Sequence, residues 1–295
     1  MSTLRADNLV EFHLRQCATR LEELLEGDII FIRSPIYLGL DDIVRSEIED
    51  LVASNEKKRK KLCVFIETTG GHIEVVERIC SVFRMHYSEV SFIVPNCAYS
   101  AGTVLVLSGD DIYMDYYSVL GPIDPQIQDS NGKFQPGMGY LFKYNELIEK
   151  SRAGTITEAE LLFLIKRFDP AEMFFIEQAK NHSKELIREW LVKYKFKNWK
   201  ETETSGTKVT KRMKVERANK IAEIMGDAER WHSHGRGISI RELQSDDIKL
   251  KINDYGADPT LRDAIKQYYE IFSDYSRKTN ATISIHTRLG FKRLG

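Results

Sequence analysis

The stretch VPNCAYSAGTVLVLSGDDIYMD, residues 94–115, contains a bend of small residues around Ser100. An apolar run typical of a buried strand precedes the bend, and an apolar run typical of a helix follows it. Serine is a favoured N-cap residue, so Ser100 can simply begin the helix. It can also be a nucleophile that is presented at a sharp turn between a strand and a helix.

Strand-like apolar runs alternate with segments of helical periodicity on both sides of this stretch. Strands are predicted at residues 28–32, 62–68, 90–96 and 111–115, and helices at 8–26, 40–55, 72–86 and 100–109. Strands that alternate with crossover helices form a mostly parallel sheet with right-handed connections. Sites in such sheets form at the carboxyl ends of the strands. The sequence therefore predicts an α/β fold with the bend at Ser100 near a site.

A second loop of small residues, TTGG at 68–71, also lies between a predicted strand and a predicted helix. Gly70 and Gly71 allow the backbone to approach a ligand closely, and N–H groups at a helix start point outward. Together with the N–H of Ala101 they are candidates for an oxyanion hole, which needs fixed donors near a developing negative oxygen. One helix and one strand separate the loops, so neighbouring parallel strands would bring both to one edge. Alternatively, the glycines serve only the geometry of the turn.

The overall composition is ordinary for a globular protein of 295 residues, with 42% apolar and 29% charged residues. The net charge of −1 argues against nucleic acid or an anionic membrane surface as a general partner. No apolar run is long enough to span a bilayer, and we expect no secretory signal. Cys17, Cys63, Cys80 and Cys97 lack the close pairing of metal sites and favour reduced thiols. We therefore expect a cytoplasmic protein.

The character of the sequence changes after residue 126, where loop-forming residues lead into a helical pattern rich in lysine, glutamate and aromatic residues. We expect an N-terminal helix at 1–26, a core at 27–195 and a helical C-terminal region at 196–295. The polar residues 197–210 are a candidate for a flexible arm.

Three segments resemble successive core segments of the Clp-protease and crotonase superfamily: GDIIFIRSPI (27–36), VFIETTGGHIEVVERICSVFR (64–84) and the stretch around Ser100. The segment MDYYSVLGPIDPQI (114–127) is closer to the signal peptide peptidase A branch. The whole pattern, over roughly residues 27–270, resembles most the serine dehydrogenase proteinase family.

This resemblance implies a Clp/crotonase-like fold and a serine endopeptidase that acts on peptides or proteins and needs no cofactor. It implies that Ser100 is the nucleophile and that the amides of Gly71 and Ala101 supply the oxyanion hole, with Gly70 in the same loop. It also implies a homo-oligomer, and a membrane-associated partner stays open.

The general base is the point where the sequence departs from the Clp pattern. Clp peptidases have a catalytic histidine near the position of Asp124, but no histidine lies between His86 and His182. The signal peptide peptidase branch uses a Ser–Lys dyad instead, with the lysine on a later helix. Asp124 is either a turn-forming residue before a proline or a charge partner for that lysine.

Two lysines are candidates for the base of a dyad. Lys143 is flanked by Phe142 and Tyr144, and desolvation in an apolar environment lowers the pKa of a lysine toward the range that a general base needs. Lys150 follows Glu146 by one helical turn, which is the arrangement of an exposed ion pair. We therefore predict Lys143 as the base and keep Lys150 as the alternative.

Other functions compete with the peptidase. A non-catalytic oligomeric scaffold of the same fold is one alternative, because no complete triad can be identified. A crotonase-like acyl-CoA enzyme is disfavoured, since neither loop carries the carboxylate base that it would use. His232 and His234 are close in sequence, but no third ligand with suitable spacing follows, so we expect no metal.

Overall fold

The structure is a computed structural model that describes residues 5–54, 59–128, 134–233 and 235–294. Its strands are β1 (Asp28–Arg33), β2 (Lys61–Glu67), β3 (Glu89–Ile93), β4 (Cys97–Ala98), β5 (Asp111–Met114), β6 (Val119–Leu120), β7 (Gln126–Gln128), β8 (Phe134–Pro136), β9 (Ile238–Ser239), β10 (Asn253–Asp254), β11 (Ile283–Thr287) and β12 (Gly290–Leu294). Its α-helices are α1 (Arg5–Leu24), α2 (Leu40–Ala53), α3 (Ile73–His86), α4 (Ala101–Val106), α5 (Gly137–Arg152), α6 (Glu158–Arg167), α7 (Pro170–Trp190), α8 (Lys211–Met225), α9 (Ala228–Trp231), α10 (Ile240–Gln244) and α11 (Pro259–Lys278).

The central sheet of the described residues has seven strands in the order β10-β5-β3-β2-β1-β11-β12. The neighbours from β10 through β1 all pair in parallel. Strand β11 pairs antiparallel with β1, and β12 pairs antiparallel with β11. The predicted α/β fold with a mostly parallel sheet is confirmed.

Helices cover both faces of the sheet. Strands β1 and β2 are buried almost throughout, as expected for apolar strands with helices on each side. Successive side chains of a strand point to opposite faces. Ile30 and Val64 therefore belong to the core formed with α2, α3 and α4, whereas Phe31 and Phe65 belong to the core formed with α1 and α11.

The C-terminal residues complete the central sheet. Strand β11 lies against β1, with Thr287 opposite Ile30, and helix α11 packs on α1. The sequence predicts a helical region at 196–295, but part of this region forms the strands β11 and β12. A five-residue run such as ISIHT is too short for its periodicity to distinguish a strand from a helix.

Two connections at the carboxyl edge of the sheet carry the predicted site. Residues 68–72 connect β2 to α3, and residues 99–100 connect β4 to α4. Strand β4 belongs to a separate three-stranded sheet, in which it pairs in parallel with β6, and β6 pairs antiparallel with β9. This small sheet fixes the backbone immediately before Ser100.

The helices α5, α6 and α7 follow the small sheet. Helix α7 packs on α3 and α4, and α5 contacts both α6 and α7. Across the ranges that the structure describes, no helix combines the length and the apolar character needed to cross a membrane.

Candidate active site

Ser100 occupies a strained backbone position. Its φ of 52° and ψ of −119° lie in a region that residues with a side chain rarely adopt. The residue directly precedes α4, but its side chain makes no capping hydrogen bond. The interpretation of Ser100 as a plain N-cap therefore lacks the bond that defines a cap. A strained turn between a strand and a helix is the geometry that exposes the nucleophilic serine of α/β-hydrolases.

The buried hydroxyl of Thr103 stabilises this turn through contacts with the backbone. The side chain is fully buried, and its hydroxyl oxygen lies 2.8 Å from the carbonyl oxygen of Ala98 and 2.9 Å from that of Gly121. The same oxygen accepts the N–H of Gly121 at 3.0 Å. The hydroxyl thus connects α4 to the chain before and well after the bend. Sequence analysis missed Thr103, although a hydroxyl in an otherwise apolar helix requires a partner.

The loop after β2 and the bend at Ser100 are hydrogen-bonded to each other. Thr68 donates its N–H to the carbonyl oxygen of Cys97 at 3.1 Å, and Tyr99 donates its N–H to the carbonyl oxygen of Thr68 at 3.0 Å. These bonds form a parallel bridge between Thr68 and Ala98. The structure therefore brings the two loops together at one edge, where parallel strands end.

Gly70 and Gly71 adopt φ angles of 94° and 148°, which favour glycine. A Cβ on Gly70 would lie 2.9 Å from the Cβ of Ser100 and 2.7 Å from the carbonyl oxygen of Tyr99. A Cβ on Gly71 would lie only 1.9 Å from the carbonyl oxygen of Ile36. The segment after β1 thus supports the loop, a contact that leaves no pattern in the sequence.

The N–H groups of Gly71 and Ala101 find no acceptor within the described part of the chain. Gly70, in contrast, donates its N–H to the hydroxyl of Thr68 at 3.1 Å, so it shapes the loop and offers no free donor. Ala101 is the first residue of α4, where helix geometry leaves N–H groups without partners. Two unpaired donors in the loops that meet at a serine are what an oxyanion hole requires.

Lys143 lies on α5, and within the described residues no hydrogen bond joins it to Ser100. Its Nζ lies 2.9 Å from Oε2 of Glu146, and 49% of its side chain is exposed. The neighbouring Phe142 is exposed as well. The prediction of an apolar environment around Lys143 is therefore wrong, because this face of α5 is exposed to solvent. Its role as the base stays a prediction.

Lys150 connects α5 to α6. Its Nζ lies 2.8 Å from Oε1 of Glu160 and 3.1 Å from Oε1 of Glu146, so the expected ion pair with Glu146 is present. The hydrogen bonds with Glu160 and Glu146 raise the pKa of Lys150. A raised pKa keeps the ammonium group protonated, which opposes the role of a general base.

Asp124 anchors the helix that carries Lys143. The residue is buried, and its Oδ1 accepts the N–H of Met138, in the first turn of α5, at 3.3 Å. Gly137 donates its N–H to the carbonyl oxygen of Pro125 at 2.8 Å and fixes the same start. A carboxylate at a helix N-terminus is favourable for the helix dipole.

The structure describes only one residue of the histidine pair that is close in sequence, His232 and His234. His232 is exposed and has a φ of 58°, and His234 lies outside the described residues. No group of three or more His, Cys, Asp or Glu residues in the described ranges could hold a metal ion. The four cysteines are free, and three of them are buried.

Residues 25–144, which include both loops and Lys143, match the family described as ClpP-like SDH-type serine proteinase. The predicted family is confirmed for this part of the chain. The matched residues include the strained turn at Ser100.

Two curated relatives come from Methanocaldococcus jannaschii. Uncharacterized protein MJ0137 is 40% identical over 70 residues, which are 24% of this chain and 24% of that protein. Uncharacterized protein MJ1495 is 28% identical over 209 residues, 70% of this chain and 65% of that protein. The chain thus matches less than two thirds of the length of either relative.

Among solved structures, a mutant of the 1510-N membrane-bound stomatin-specific protease is similar to this chain. The sequence identity is 13% and the TM-score 0.46, over 82% of this chain and 84% of that chain.

Proposed function

We propose that the chain is a serine peptidase in which Ser100 attacks the carbonyl carbon of a peptide bond. One observation carries the proposal: the strained turn at Ser100 meets a second loop, and the two loops contribute the unpaired N–H groups of Gly71 and Ala101. This arrangement lies inside the segment that matches the serine proteinase family.

In the first step, Oγ of Ser100 forms a bond to the carbonyl carbon, and the electron pair of the C=O double bond moves to the oxygen. The N–H groups of Gly71 and Ala101 donate to this oxyanion. The base takes the proton of Oγ and passes it to the leaving amine as the C–N bond breaks. Water, deprotonated by the same base, then hydrolyses the acyl-enzyme and releases Ser100.

Lys143 is the base in this proposal. A lysine accepts a proton only as a neutral amine, so its Nζ must leave Glu146 and lose solvent before the reaction. A bound substrate that covers the exposed side of α5 would supply that burial. Lys150 is the weaker candidate, because two carboxylates hold it and raise its pKa.

A fluorophosphonate that labels activated serines tests the proposal, with intact mass as the readout. We expect one adduct on the wild type, none on Ser100→Ala and none on Lys143→Ala. Ser81→Ala serves as the control that keeps the adduct, since Ser81 is an exposed serine on α3. Lys150→Ala should also keep the adduct, and its loss in that variant would assign the base to Lys150.

The outcomes separate the candidate functions. An adduct that persists in Ser100→Ala refutes the assigned nucleophile. An adduct lost in Ser100→Ala but retained in Lys143→Ala keeps the peptidase and removes Lys143 as the base. A wild type that neither reacts nor cleaves fluorescence-quenched peptides supports the non-catalytic scaffold.

A further inference from the structure

Helix α6 presents an apolar face that no described residue covers. Leu161, Leu162 and Ile165 are 42%, 55% and 69% exposed, and none of the ten residues of the helix is fully buried. A helix of this length is marginal in water without packing partners. Single exposed apolar residues are common, but several on one face indicate an interaction surface.

The opposite face of α6 already has its partners within the chain. Glu160 forms an ion pair with Lys150 of α5 at 2.8 Å. Phe163 packs edge-on against Phe168, with ring centroids 5.7 Å apart. At about 3.6 residues per turn, Glu160 and Phe163 lie on the other side of the helix from Ile165. The exposed apolar face is therefore a second face, and the contacts with α5 do not use it.

Charges of opposite sign lie at the two ends of the exposed face. Glu158 is in the first turn and Lys166 in the last turn, and both are exposed. Neither forms an ion pair with any residue in the described ranges. Glu158, Leu162 and Lys166 are spaced by four residues, so they follow one ridge of the helix surface.

We propose that α6 packs antiparallel against α6 of a second copy of this chain, around a two-fold axis near Leu162. Glu158 of each copy then meets Lys166 of the other, and Leu161, Leu162 and Ile165 fill the centre. In a two-fold contact the same surface of each copy must complement itself. This face does so, because its acidic end meets the basic end of the other copy. The antiparallel arrangement also opposes the two helix dipoles. A face with one acidic and one basic residue gives no attraction to an anionic lipid surface.

Charge reversal tests the orientation of the two helices. In sedimentation equilibrium of the full chain, we expect a concentration-dependent dimer. Glu158→Lys and Lys166→Glu should each raise the dissociation constant of this dimer about tenfold, since each substitution makes two facing pairs repulsive. An equimolar mixture of the two variants restores wild-type affinity, because an all-basic helix then faces an all-acidic one. If the mixture stays as weak as the single variants, the antiparallel pairing is wrong.

The apolar centre is tested by Ile165→Asp, with Met85→Glu as a control at an exposed methionine on α3. We expect Ile165→Asp to abolish the dimer with unchanged circular dichroism and melting temperature, and Met85→Glu to change nothing. A monomeric wild type, or a dimer that survives Ile165→Asp, overturns the proposal. Co-sedimentation of a monomeric wild type with phosphatidylserine vesicles, lost in Ile165→Asp, would assign the face to a membrane instead. None of these results depends on peptidase activity.

Discussion

Replacement of Thr103 by valine isolates the contribution of one buried hydroxyl to the turn at Ser100. Valine and threonine are both β-branched and similar in size, so the change exchanges the hydroxyl for a methyl group and largely keeps the packing of α4. The hydroxyl lies within hydrogen-bond distance of the carbonyl oxygens of Ala98 and Gly121 and of the N–H of Gly121.

The loss of stability follows from the groups left unpaired. The N–H of Gly121 keeps the carbonyl oxygen of Ala98 as an acceptor at 3.0 Å. The carbonyl oxygen of Gly121 loses its donor inside the protein. One buried unsatisfied group costs about 1–3 kcal/mol, so Thr103→Val lowers the free energy of unfolding by that amount.

The loss of reactivity follows from the strain at Ser100. Its φ of 52° persists only while the surrounding structure enforces it. Without the hydroxyl the turn relaxes, and a misplacement on the order of 1 Å can cost about 100-fold in rate. We expect the rate constant of fluorophosphonate labelling to fall by about 10- to 100-fold in Thr103→Val.

The matched control is Thr103→Ser, which keeps the hydroxyl and removes the methyl group. We expect Thr103→Ser to label at close to the wild-type rate, while urea titration shows a loss of about 1 kcal/mol for the methyl group. Equal labelling rates for Thr103→Val and wild type, together with the expected loss of stability, would show that the hydroxyl only stabilises the fold. They would refute its role in positioning Ser100.

Three further predictions concern other parts of the structure. In Gly71→Ala the new Cβ would lie 1.9 Å from the carbonyl oxygen of Ile36, so we expect labelling to be lost and the melting temperature to fall; an unchanged variant would contradict the geometry of the loop. Arg84 and Asp110 form a largely buried pair at 2.6 Å, and Lys197 stays 2.7 Å from Asp110 as a second cation. Arg84→Met should therefore lower the free energy of unfolding by about 1.5–3 kcal/mol in urea titrations, the value of a hydrogen bond to a charged group, with the exposed Arg45→Met as the control that stays within about 1 kcal/mol. Burial lowers the pKa of His286 from 6.5 to about 3. Between these pH values the unfolded chain binds a proton that the folded chain does not, so the free energy of unfolding falls as the pH drops from 6.5 toward 3, by up to about 1.4 kcal/mol per pH unit. Urea unfolding of His286→Gln should lack this part of the pH dependence, and a slope identical to that of the wild type would exclude His286 as its source.

The sequence alone determines the strands of the parallel core and the place where they end. The apolar runs of β1, β2 and β3 need burial on both faces, and a helix of matching periodicity follows each of them. Since parallel strands end at one edge, the order of these elements also brings the loops at Gly71 and Ser100 together. The Lys150–Glu146 pair is predictable for the same reason, because it depends only on spacing along one helix.

Only the tertiary structure decides the features that depend on residues far apart in the chain. The hydroxyl of Thr103 lies beside the carbonyl oxygen of Gly121, and the carbonyl oxygen of Ile36 lies beside Gly71. Strand β11 pairs with β1, which is far from it in the sequence. The solvent around Lys143 depends on how α5 packs, so flanking aromatic residues do not fix its environment. Periodicity in a sequence encodes which residues are buried and in which local conformation, whereas desolvation and hydrogen-bond partners are properties of the assembled fold.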